Sequence, residues 1–212
     1  MRTKLFKALS EELCSFIEQE GMAVRPYSHP RLSYFQQLTE EGQQTAIETL
    51  QNYLEVCRSV YKENHSLKDS AFLVQKGLEY FSYQCHPSIF EMVEKESRVV
   101  EFYTPQNTQI FRTINYFEFA SYTIEDLYCR PWNHLYIRDE EIDNLLIQGV
   151  GAVLTKAAGP EGVLVPNQHL LTEKASLERV TITVDGVHLL PLMQKEAVEG
   201  FACIIDCRPL LY

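Results

Sequence analysis

Six cysteines stand at positions 14, 57, 85, 129, 203 and 207, and a thiol does chemistry only beside a base, a metal or a second thiol. No two of them form a CxxC pair, so neither a zinc knuckle nor a thioredoxin-type motif is written here. Cys14 and Cys57 fall on or beside apolar helical stripes, where a thiol serves as a small hydrophobe. The six are expected to be reduced and mostly buried. His29, His65 and Cys85-His86 in the first half are too dispersed to imply a metal site, His134 and His188 in the second read as satisfied structural histidines, and His169 has no assignment from periodicity. The run Asp139-Glu140-Glu141 offers paired carboxylates, but a helix start favours negative charge and explains it without further chemistry. A Gly-rich phosphate loop, HExxH, GxSxG and the phospho-acceptor and ATP-binding motifs of histidine kinases are all missing. The expectation is a protein that is not an enzyme.

The aromatic residues point elsewhere. Phe111, Tyr116, Phe117, Phe119, Tyr122, Tyr128, Trp132 and Tyr136 crowd one short stretch. Aromatic side chains make good core and equally good pocket lining. Phe117, Tyr122 and Trp132 are expected to border a small apolar ligand cavity, with plain core packing as the competing account.

These residues must be positioned by a chain of 212 residues carrying a net charge of -10. That length can bury a core in one large domain or two small ones. The acidic balance argues against a broad phosphate-binding surface, so nucleic acid is not an expected partner. No 18-residue apolar run and no secretion-like start occur, so no membrane partner is expected and the cytoplasm is the default location.

The first half reads as a helical layer. Leu5, Phe6, Leu9, Leu13, Phe16 and Ile17 recur at helical steps, and Gly21 stands where a left-handed cap is wanted. Pro26 and Pro30 suggest an ordered connection over residues 22–37 rather than an element. Ile47, Leu50, Leu54, Cys57 and Tyr61 line one face of a second helix, about 40–61. Ser66 and Asp69 resemble a capping box opening a third helix through Val74, Leu78 and Phe81. Pro87 precedes a short fourth segment, 88–95. A helix-turn-helix reading is disfavoured by charge, because the third helix offers only Lys68 and Lys76 as cations against Asp69 and Glu79, and a DNA-binding regulator through this half is kept as a rival.

The second half changes grammar. Residues 98–103 and 108–112 read as a hairpin around Thr104-Pro105-Gln106-Asn107. Thr123 and Asp126 form another capping pattern, and Ile142 to Leu154 gives a helical stripe ended by Gly159-Pro160. Val180, Ile182 and Val184 then alternate with threonines, Asp185-Gly186 is expected to be a hairpin turn before 187–193, and a last strand covers 200–206.

This order, with Tyr122-Thr-Ile-Glu-Asp-Leu127, Arg130-Pro-Trp132 and the closing stretch Val198 to Asp206, resembles the PAS family of sensory domains over residues 98–206. Cys129 takes a place where that family often has Gly. The resemblance implies an α+β chain: an N-terminal helical layer over 1–97, followed over 98–212 by a PAS-like five-stranded antiparallel sheet with flanking helices. It implies a sensory or signal-transduction module that relays ligand or partner binding through protein–protein contact. No cofactor is expected. The Asn-Cys-Arg-Phe-Leu-Gln-like run of flavin photosensors is replaced by Tyr128-Cys-Arg-Pro-Trp-Asn-His134, and the helix where haem-binding relatives keep an axial histidine has none. A homodimer or a protein partner is expected from the breadth of the first two helical stripes, together with a small-molecule ligand. The alternatives are a structural adaptor whose pocket is filled by its own side chains, and the sensory region of a longer histidine kinase or DNA-binding regulator, since only six residues follow Asp206.

Overall fold

The computed structural model describes residues 1–95, 97–166, 168–176 and 178–209. Residues 210–212, in the tail after Asp206, lie outside that set. Five helices come first: α1 (Arg2–Gln19), α2 (Ser33–Gln37), α3 (Glu40–Lys62), α4 (Ser70–Tyr80) and α5 (Ser88–Val93). Strands β1 (Arg98–Tyr103) and β2 (Gln109–Arg112) follow, then a 3-10 turn (Ile114–Glu118), α6 (Ile124–Cys129), a second 3-10 turn (Trp132–His134) and β3 (Tyr136–Ile137). The chain continues through α7 (Glu140–Leu154), β4 (Val163–Val165), β5 (His169–Glu173), β6 (Thr181–Gln194) and β7 (Ala197–Pro209). Among the described residues, no helix is long and apolar enough to cross a membrane.

The apolar stripes of α1 and α3 face each other, burying Phe6, Leu13 and Ile17 against Leu50, Leu54 and Cys57. The faces that suggested a dimer are thus used within one chain. Gly21 takes φ +80 after α1, as its capping position requires. For α4 the cap is Asp69 itself, whose carboxylate accepts from the Phe72 N–H, while Ser66 Oγ donates to Glu20. The 22–37 connection holds a helical turn that its prolines did not suggest. The Glu125 carboxylate, far away in sequence, accepts the N–H groups of Tyr34 and Phe35 at 2.9 and 3.1 Å and so caps α2.

The fold is α+β, as expected, but the antiparallel sheet has seven strands rather than five. They run β2-β1-β7-β6-β5-β3, with β4 pairing β6 beyond the end of β5. Asp185-Gly186 is not a hairpin turn. β6 runs straight through it, and the register steps from Val184 opposite Cys207 to Gly186 opposite Asp206, so Asp185 is the extra residue of a β-bulge. A bulge shifts the side-chain alternation by one, which keeps Val187 and Leu189 on the face of Ile182 and Val184. Asp185 is held there by Arg208 at 2.5 Å and by Gln168 at 2.6 Å. The real hairpin lies at Lys195-Glu196, with Lys195 at φ 56. α7 stops at Leu154, five residues before Gly159, and Lys156 just beyond it turns left-handed.

The sheet has helices on both faces. One face of β1 and β2 presents Val100, Phe102 and Phe111 to the N-terminal helices. Phe102 and Phe111 stack at 4.4 Å, and the Tyr53 ring of α3 meets Phe111 edge-on at 5.8 Å. α4 approaches closely because Gly77 has no side chain: a Cβ there would lie 2.7 Å from Phe111 Cε2. Gly→Ala inside a helix ordinarily stabilises by about 1 kcal/mol. At Gly77 the sign reverses, because overpacking against two stacked buried rings costs about 1–3 kcal/mol. Urea unfolding of Gly77→Ala is expected to show a lower midpoint, and an unchanged or raised midpoint would mean that the rings yield freely.

Candidate functional site

The other face of the sheet curls around a cavity of about 80 Å3, closed by α7 through Leu146 and Val150 and by the 3-10 turn carrying Trp132. Strand alternation supplies the walls: Val99, Glu101 and Tyr103 from β1, Ile182, Val184, Val187 and Leu189 from β6, and Phe201, Cys203, Ile205 and Cys207 from β7. α7 can lie close to β6 because of Gly149, where a Cβ would come within 2.8 Å of Leu189 Cδ1.

A polar group is built into this apolar wall. Glu101 and Arg112 sit opposite each other on β1 and β2, both 5% exposed, with Arg112 Nη2 3.4 Å from Glu101 Oε1. The Tyr103 hydroxyl donates to Glu101 Oε2 at 2.6 Å. The Arg112 guanidinium lies 4.0 Å from the centre of the Tyr116 ring, and the Tyr116 and Tyr136 hydroxyls share a 2.6 Å hydrogen bond. Burial pushes the phenols of Tyr103, Tyr116 and Tyr136 above their ordinary range. Burial works against the charge of Arg112, the neighbouring Glu101 carboxylate favours it, and the net shift is upward, so the guanidinium stays protonated. Arg138, just after β3, reaches Asp143 at 3.4 Å and lies over the Trp132 ring at 5.2 Å.

Of the three residues expected at a pocket, Trp132 lines the cavity. Phe117 and Tyr122 are buried but are not among its lining residues. The Tyr122 hydroxyl instead ties the Leu135 carbonyl to Lys174, accepting from the Lys174 N–H at 2.8 Å. Sequence reasoning passed over Glu101, Arg112 and Arg138. The legible signal was Glu101, a charge in the middle of the apolar run Val99-Val100-Glu101-Phe102-Tyr103.

Nearby, the Thr123–Asp126 capping box forms with both of its hydrogen bonds. Arg130 pairs with Asp126 at 2.8 Å and donates to the carbonyls of His134 and Lys174. The Arg130-Pro131-Trp132 segment thus fixes the loop that presents Trp132. Cys129 ends α6 without a left-handed backbone, so Gly is not required there.

Among the described residues, no group of three or more His, Cys, Asp and Glu is placed to hold a metal. All six thiols are pushed upward, first by burial; those of Cys14, Cys57 and Cys85 reach about 12. At pH 8 the native chain is therefore expected to react slowly with Ellman's reagent, and all six thiols to react on denaturation. Rapid stoichiometric labelling of Cys203 or Cys207 in the folded chain would contradict this placement.

No known family model matches this chain, and no curated protein matches it.

Proposed function

We propose that this chain is a non-enzymatic, PAS-like sensory module that binds a small molecule in the cavity on the sheet face and passes the change through its helical layer to a protein partner. The observation that carries this reading is a continuous path from cavity to helices. Arg112 lines the cavity with its side chain, while its backbone carbonyl accepts a 2.6 Å hydrogen bond from the hydroxyl of the fully buried Tyr53 in α3. A ligand that moves β2 must therefore also move α3 or break that bond.

The strand order supports the PAS-like part of the reading. β2-β1-β7-β6-β5 gives five contiguous antiparallel strands, with the short helices and α7 inserted between β2 and β5. Two strands, short helices, α7 and three further antiparallel strands follow the chain order of elements that the family resemblance implies, with β3 and β4 as additions. The cavity, at about 80 Å3, favours a metabolite of few atoms, since pockets for drug-sized ligands measure about 300–1,000 Å3. A non-catalytic role is supported by the raised thiols and by phenols that hydrogen-bond to Glu101 or to one another.

The test uses Trp132, the chain's only tryptophan, at the cavity wall. A panel of small metabolites is titrated while its emission and the amide exchange of α3 are followed. The expected result is a compound that shifts both. In Tyr53→Phe the same compound should still shift Trp132 but change α3 exchange less. A panel that moves neither signal overturns the reading.

A further inference from the structure

Arg112 and Arg138 line the same cavity, and each leaves a guanidinium N–H unused. Arg112 engages Glu101 through Nη2, and among the described residues its buried Nη1 has no hydrogen-bond partner. Arg138 engages Asp143 through Nη1, and its buried Nε likewise has none among them. A buried donor left unpaired is costly, and folded proteins pair nearly all such groups. Two of them on arginines at one cavity mark a place built for an acceptor.

The existing ion pairs do not saturate these cations. An arginine–carboxylate pair is strongest as two parallel bonds near 2.7–2.9 Å. Here each guanidinium makes a single carboxylate contact, at 3.4 Å, beside its aromatic ring. Glu101 is also shared with the Tyr103 hydroxyl at 2.6 Å, which weakens its hold on Arg112. Glu101, Arg112 and Arg138 all line this one cavity, with the Cys203 side of β7 in the same wall. Around them the wall is apolar: Leu146 and Val150 of α7, and Leu171, Ile182 and Val184 of the sheet.

We propose that the cavity binds a short-chain carboxylate, its oxygens accepting from Arg112 Nη1 and Arg138 Nε and its hydrocarbon end lying against α7 and the sheet. This rests on the sensory reading above and specifies its ligand. Glu101 occupies the Nη2 edge of Arg112, so the bound anion takes the Nη1 edge and the guanidinium separates the two carboxylates. Arg138 supplies the second positive charge. With about 10–15 Å3 needed for each water-sized group, a cavity of about 80 Å3 takes about six non-hydrogen atoms, the size of butyrate.

The test compares sodium butyrate with butyramide, n-butanol and butylammonium on the intact chain, by calorimetry and by Trp132 emission. Butyrate is expected to bind at least about tenfold more tightly than butyramide, since hydrogen bonds to a charged group are roughly twice as strong as neutral ones. Arg138→Gln should weaken butyrate by about tenfold or more and leave butyramide nearly unchanged. Arg138→Lys, which keeps the charge but loses the Nε donor, should fall between them and guards against a folding defect in the first variant. Butyramide or butanol binding as tightly as butyrate overturns the carboxylate assignment and leaves the sensory reading standing. Butyrate failing while another compound of the metabolite panel shifts Trp132 does the same. If neither butyrate nor any panel compound shifts Trp132, both readings fall together.

Discussion

Replacing Arg112 with methionine is expected to lower the unfolding free energy by about 3–5 kcal/mol, because it strands the Glu101 carboxylate in the apolar wall without its cation. Glu101 is 5% exposed, and its other contact is the Tyr103 hydroxyl. The double variant Glu101→Gln, Arg112→Met removes both charges and should recover most of the loss, since a buried ion pair replaced by well-packed neutral groups is often close to neutral in stability. The cycle built from urea unfolding of the two single variants and the double variant isolates the coupling between the side chains. A single Arg112→Met variant within about 1 kcal/mol of the parent would show that Glu101 reaches water, and the polar floor of the cavity would lose its argument. The double variant also separates stability from ligand binding, because it folds without the cation that the carboxylate proposal requires.

Glu173→Ala should be comparably damaging for a different reason. Glu173, 1% exposed, accepts the Ser121 N–H at 2.6 Å, the Ser121 hydroxyl at 2.5 Å, the Ser176 hydroxyl at 2.7 Å and the Val180 N–H at 3.0 Å. Truncation leaves two backbone donors without an acceptor at about 1–3 kcal/mol each, so a total near 2–6 kcal/mol is expected. Glu173→Gln keeps one accepting oxygen and should lose less. The loss should be local first. β5 carries β3, and β3 carries Tyr136 into the cavity wall, so exchange at the Ser121 and Val180 amides and Trp132 emission should change before the helical layer does. Uniform loss of protection across the whole chain would mean instead that this corner has no independent role.

Much of the fold was legible because the deciding interactions are local. The stripes of α1 and α3, the hairpin of β1 and β2 around Thr104 to Asn107 and the capping box at Thr123 each depend on residues a few positions apart. Helix α2 was hidden because its cap is supplied by Glu125, about ninety residues downstream in sequence. Ser66 satisfied a local capping pattern, yet Glu20 took its hydroxyl once α1 lay beside it. Asp185-Gly186 has the composition of a turn, but pairing with β7 on both sides holds β6 straight and turns the dipeptide into a bulge. β5 was missed because His169 and Glu173 break the apolar pattern, although both are buried.

The site divides in the same way. By itself the sequence determined a helical layer, an antiparallel sheet and an aromatic stretch holding Trp132, because periodicity and turn chemistry act over a few residues. Only the tertiary structure decided that Glu101 and Arg112 meet across two strands, that Arg138 joins them over Trp132, and that Tyr53 ties β2 to α3. Those contacts join residues from 6 to 59 positions apart, and charge and burial in such a cluster are properties of the assembled wall rather than of any segment that enters it.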